Sequence, residues 1–240
     1  IMTPCPWFHE IGKFAKSNPQ FDYGIHLTLT CEWENYKFGP VSPVNEVKSL
    51  VDENGHFFKK RDELKKFANI KDIKKELKAQ IEKAFNFGLN PTHIDSHMYS
   101  CGASKEFFNI YKELGEFYNL PVLINNELLE MVGLDPKGNI SKNDFVINNI
   151  CLGNYKQFTN KKLKKYYLDF IENINAGLNI ILIHPAYDDS EMKAITINHP
   201  NFGSEWRQID FEVFNSYEIK QKIFENKIQL ITWKNLKNSN

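Results

Sequence analysis

Residues 81–100 read IEKAFNFGLNPTHIDSHMYS, and residues 173–186 read NINAGLNIILIHPA. Leading into the first, Ile73, Leu77, Ile81 and Phe85 recur at every fourth position, so residues 72–88 predict a helix with one buried stripe and Gly88 as its stop. Leading into the second, Leu163, Tyr166, Tyr167, Phe170, Ile171 and Ile174 predict a helix over 161–177 that again runs to a glycine. Each then passes through Gly-Leu-Asn into a short apolar strand with a histidine at its end. Helix, turn, strand and histidine, written twice, imply a parallel sheet with helices outside it.

Outward from these stretches, strands are predicted over 1–4, 23–30, 121–125, 145–151 and 228–233, and helices over 104–118 and 209–226. The expectation is an α/β, barrel-like fold of about seven parallel strands, one short of the eight in the commonest closed barrel. The chain reads as a single domain over 1–240, because a length of 240 residues with 42% hydrophobic content can bury one large core. Its opening, Ile1-Met2-Thr3-Pro4-Cys5-Pro6-Trp7-Phe8, is apolar and ends in a turn. It reads as the close of a strand, so a first strand and helix are expected to be missing.

Thirty basic residues balance thirty acidic ones, which leaves no global field to draw in nucleic acid or an anionic membrane. Almost all of the positive charge is lysine. Arg61 and Arg207 are the only arginines, and Arg207, in a polar stretch after the HPA segment, is a candidate substrate contact or a partner for Asp210. Cys5, Cys31, Cys101 and Cys151 form no CxxC pair, so neither a zinc knuckle nor a disulfide scaffold is expected, and a reducing cytoplasm fits best. No apolar run reaches the length of about 20 residues that a membrane helix needs.

The chemistry gathers at predicted strand ends, where the loops of parallel α/β folds converge. His26 lies in Gly24-Ile25-His26-Leu27-Thr28, His97 follows Thr92-His93-Ile94-Asp95, and His184 closes Ile180–Ile183. Taken singly, His26 also reads as a satisfied interior histidine and His184 as a strand cap. His93 and Asp95 share a strand face with His97, which suits an outer group that orients a metal-binding imidazole. Trp7, Trp33, Tyr99 and Trp206 lie beside these motifs, where an aromatic ring serves either as core or rim or as a flat face for a ligand.

Gly24-Ile25-His26-Leu27-Thr28-Leu29-Thr30, Pro91-Thr92-His93-Ile94-Asp95-Ser96-His97 and His184-Pro185-Ala186 with Asp188 and Asp189 behind it resemble, in order and approximate separation, the YdjC-like carbohydrate deacetylases. The resemblance implies a metal-dependent hydrolase that removes N-acetyl groups from amino sugars or chitooligosaccharides. It also implies His26 and His97 as metal ligands, one divalent ion (Mg2+ or Zn2+) as cofactor, and His184 as the acid that protonates the leaving nitrogen. The family's N-terminal Asn-Ala-Asp-Asp-Phe-Gly motif, which supplies a third ligand and a base, has no counterpart in residues 1–240.

The implied partner is a small amino-sugar or oligosaccharide substrate, with neither nucleic acid nor membrane, and with room for a homodimer. Two other readings stay open. One is a non-catalytic sugar-binding relic that lacks the acidic motif. The other is a barrel metallohydrolase of the amidohydrolase type, although such sites usually start with His-x-His on the first strand.

Overall fold

The computed structural model describes residues 1–140 and 144–237. The chain divides into two compact units, one of residues 1–32, 37–146 and 231–240 and the other of residues 33–36 and 147–230. Six short strands are described: β1 (Ile25–Leu27), β2 (Ile94–Ser96), β3 (Ile124–Asn125), β4 (Val146–Ile147), β5 (Asn149–Leu152) and β6 (Asn179–Leu182).

The fold is mixed α/β, with β1 and β2 pairing in parallel in the first unit and β5 and β6 in the second. Among the described residues this replaces the expected seven-strand sheet, and a closed barrel is not shown. The expected strand over 228–233 does not form. Leu230 is largely exposed, the segment is irregular, and Trp233 starts the helix Trp233–Lys237. Apolar content marked that stretch as strand, but an extended segment without a ladder neighbour leaves its backbone groups to water or side chains.

In the first unit the predicted stripe is realised in the helix Ile70–Asn86, whose Ile73, Leu77, Ile81 and Ala84 are fully buried. Burying each of the three larger side chains contributes about 1.5–3 kcal/mol. Gly88 turns the chain at φ +87°, and the Leu89 N–H returns to the Ala84 carbonyl at 3.1 Å, closing the helix as expected. Phe85, the last residue of the stripe, is more than one-third exposed.

β1 is shorter than its apolar run because the helix takes over its hydrogen bonds. The buried Gln80 amide accepts from the Thr28 N–H at 2.9 Å and donates to the Thr28 carbonyl at 2.7 Å, as a neighbouring strand would. Glu76, one turn earlier, accepts from the Val41 and Ser42 N–H groups and from Gln80, so this buried carboxylate is fully engaged. Along the same edge of β1, away from β2, the Ile1 carbonyl accepts from the His26 N–H at 3.0 Å, after which the chain turns rather than continuing as a strand through residue 4. Beyond β2, Ile94 forms a parallel bridge to Val122, and the buried Tyr111 hydroxyl donates to the Ile94 carbonyl and accepts from Leu123 N–H.

In the second unit the helix expected over 161–177 spans only Leu163–Glu172. The Asn173 and Asn179 side chains bond nearby carbonyls, a competition with helical pairing that favours a loop here. The helix expected over 209–226 is instead two, Ser204–Asn215 and Tyr217–Glu225, separated by Ser216 in an extended conformation, whose hydroxyl caps Ile219. Leu163, Tyr167, Ile171, Trp206 and Val213 form this unit's core. Among the described residues, no helix is long and apolar enough to cross a membrane.

Candidate active site

His26 lies on β1 and Asp95 is its register partner on β2, so the parallel pairing sets both on one face of the ladder. The His26 Nδ1 and an Asp95 oxygen are 2.9 Å apart, which leaves the ring's Nε2 for other use. Burial alone would raise the Asp95 pKa. The charge and hydrogen bond of His26 outweigh it, with smaller help from His93, and hold the carboxyl at about 2.

His97 starts a tight turn, His97–Gly102, in which Met98 and Tyr99 adopt left-handed backbone angles of φ 49° and 51°. The Ser96 hydroxyl closes this turn by accepting from Cys101 N–H at 2.9 Å, and Gly102 lacks the side chain that would overlap the Tyr99 ring. Non-glycine residues with such angles are uncommon and tend to mark functional turns. His97 Nε2 meets Glu32 Oε2 at 2.8 Å, with both side chains about nine-tenths buried.

The two imidazoles meet edge to face, with ring centroids 5.4 Å apart. With metal–nitrogen bonds of about 2.1 Å, two imidazoles on one tetrahedral ion have centroids about 5.3 Å apart. The spacing therefore suits two nitrogen donors to a single cation. Each ring also carries a carboxylate on one nitrogen, the arrangement that fixes ring orientation in metal sites. Among the described residues, no group of three or more His, Cys, Asp and Glu side chains is arranged to hold a metal.

His93 is placed differently from His26. Its ring stacks on Trp233 at 4.5 Å, its Nδ1 meets the Thr92 hydroxyl at 2.9 Å, and a Cβ on Gly24 would overlap it. Burial pulls its pKa from 6.5 down to about 4, against the opposing pull of Asp95. The folded protein thus keeps this ring neutral where the unfolded chain protonates it. Stability from His93 is complete above pH 6.5 and is lost as the pH falls toward 4, by about 2–3 kcal/mol. In thermal unfolding from pH 7 to pH 4, His93→Phe is expected to keep the stack and flatten that decline; a decline equal to wild type would show that another group causes it.

His184 lies two residues past the end of β6 in the second unit. Its backbone N–H donates to Asp210 Oδ2 at 2.9 Å, and its ring lies against Phe202 at 4.9 Å. Arg207 donates from Nε to the Phe202 carbonyl at 2.7 Å and sets its guanidinium 5.5 Å from the Trp33 ring centre. Asp210 is fully buried, and burial raises its pKa despite the His184, Tyr167 and Arg207 groups that favour its charge. Trp206, a candidate sugar platform by position, is instead fully buried between Phe158 and Phe202.

Three residues of these arrangements were not singled out from sequence as site residues: Glu32, Tyr167 and Gln80. Glu32 follows the GIHLTLT run after a single intervening residue, and that adjacency was the available signal.

Residues 1–225 match the family model described as YdjC-like protein. The chain belongs to the YdjC-like family. Its curated relatives include the carbohydrate deacetylase of Thermoanaerobacter pseudethanolicus, 28% identical over 99% of this chain and 86% of that one. The carbohydrate deacetylase of Brevibacillus brevis is 30% identical over 98% and 86% of the two chains. A solved Enterococcus faecalis structure, described as a cellobiose-phosphate cleavage protein, superposes with a TM-score of 0.77 at 26% identity over 98% of this chain and 85% of that one. This YdjC-like chain is thus an enzyme of the carbohydrate deacetylase family.

Proposed function

We propose that the protein hydrolyses the N-acetyl group of amino sugars or chitooligosaccharides, with His26 and His97 holding one divalent ion, Mg2+ or Zn2+. The observation that carries this reading is the 5.4 Å convergence of two imidazoles, each fixed by its own carboxylate. When bound, such an ion polarises a carbonyl and brings a bound water's pKa toward about 7.

Of the protein's own groups, two carboxylates orient the imidazoles, one histidine supplies the leaving-group proton and one arginine meets the sugar. Asp95 holds the Nδ1 side of His26 and presents Nε2, and Glu32 holds Nε2 of His97 and presents Nδ1. His184 hands a proton to the departing amine, because an amide nitrogen leaves poorly as an anion. Arg207, held by the Phe202 carbonyl at Nε and by the buried Trp33 ring under its guanidinium, is the donor to sugar hydroxyls in this reading. The reading takes residues 1–240 as one barrel-like domain acting in the cytoplasm on a small soluble sugar.

Incubating the protein with N-acetylglucosamine oligomers and Mg2+ or Zn2+ is expected to release acetate and expose free amines. Cellobiose phosphate serves as the contrast substrate. Its cleavage without acetate release from the oligomers would overturn the reading, as would oligomer binding with no turnover under either ion.

A further inference from the structure

Beyond β6, the chain from His184 to Asp188 runs along the helix Ser204–Asn215 and hangs its N–H groups on it. His184 N–H donates to Asp210 Oδ2 at 2.9 Å, Ala186 N–H to the Arg207 carbonyl at 3.3 Å, and Asp188 N–H to Gln208 Oε1 at 2.9 Å. Pro185, in between, has no N–H to give. The donors alternate as they would along a strand, so the helix stands in for a sheet neighbour.

Of these three anchors, Asp210 is the costly one. Aspartate is a weak helix former, and a fully buried carboxylate loses its hydration. Both of its oxygens are engaged, Oδ2 by His184 and Oδ1 by the Tyr167 hydroxyl at 2.7 Å from a different helix. Tyr167 is itself fully buried, and Gly153 leaves the space beside its hydroxyl that a Cβ would fill. An apolar side chain would pack at position 210 without a desolvation cost, yet it could not accept from residue 184.

We propose that Asp210, braced by Tyr167, is a positioning residue that fixes His184 through its backbone N–H. This rests on the deacetylase reading, in which His184 supplies the proton. The device works by accepting a hydrogen bond rather than by charge. An asparagine at this position would serve almost as well, because its carbonyl oxygen can take the His184 N–H while the Tyr167 hydroxyl turns to accept from the amide NH2.

The test measures acetate release by the full chain. Asp210→Ala is expected to lower kcat at least tenfold with KM within twofold, and Asp210→Asn to restore kcat to within threefold of wild type. In a His184→Ala background, Asp210→Ala is expected to cost nothing further. A folded Asp210→Ala with wild-type kcat, or a loss of the same size in the His184→Ala background, overturns the proposal. Wild-type turnover by His184→Ala alone would instead strike at the role of His184, and would remove the route by which Asp210 acts. Should Asp210→Ala not fold, amide hydrogen exchange in the wild-type protein decides. The His184 N–H is expected to exchange at least 100-fold more slowly than in an unstructured peptide, and exchange at the unstructured rate overturns the anchor.

Discussion

His184→Ala is expected to slow acetate release by about 10²- to 10⁴-fold, the range that a positioned general acid supplies, while leaving divalent-ion affinity within twofold of wild type. The pairing of those two readouts gives the experiment its force. His184 lies two residues beyond β6, next to Pro185, and is held by its backbone to a buried carboxylate, which suits a group that must hold one position through turnover. A drop in metal affinity in this variant would make His184 a ligand. Unchanged turnover would leave it a strand cap. A substrate whose leaving group departs without protonation, such as an aryl N-acetyl derivative with an acidic amine, should lose much less rate in the variant than the natural amide.

His26→Ala and His97→Ala are each expected to reduce acetate release by about 10³-fold or more, since a bound cation contributes several kcal/mol to transition-state stabilisation. Both should also lose divalent-ion binding measured without any substrate. A graded series separates ligand from support. Asp95→Asn keeps the His26 ring, but replaces the carboxylate that holds its Nδ1, and should weaken metal affinity about 10- to 100-fold. Should Asp95→Asn match His26→Ala in severity, Asp95 would be a direct ligand. Should it have no effect, the short His26–Asp95 contact would serve only the packing of β1 against β2.

Much of this site could be read from the residues, and the reasons are local. His97 stands just past a strand end because period and breakers are written in sequence: a four-residue stripe before Gly88, a left-handed turn at Gly88, then alternation, whereas His26 lies in mid-strand, marked by its apolar neighbours. The pairing of His26 with Asp95 could not be read that way. It depends on the register of β1 against β2, which links residues far apart in the chain. Glu32 was hidden for a similar reason, because its role arises only when the loop after β1 returns over the turn at His97.

The failures are equally physical. Apolar residues over 228–233 signalled a strand, but strand formation needs a partner edge, and the local sequence carries no information about one. Trp206 lay beside the HPA segment in sequence and faced inward in space, since a helix turns each successive side chain by about 100°. Asp210, three residues on from Arg207, came into view only as that arginine's partner, and its two oxygens serve His184 and Tyr167.

That His26 and His97 hold one cation between them is tested most directly by calorimetric titration of Zn2+ and Mg2+ into metal-free protein. One divalent ion per chain is expected for wild type and for His184→Ala, and none for His97→Ala. A wild-type protein that takes up neither ion, or a His97→Ala variant that binds as tightly as wild type, would contradict it.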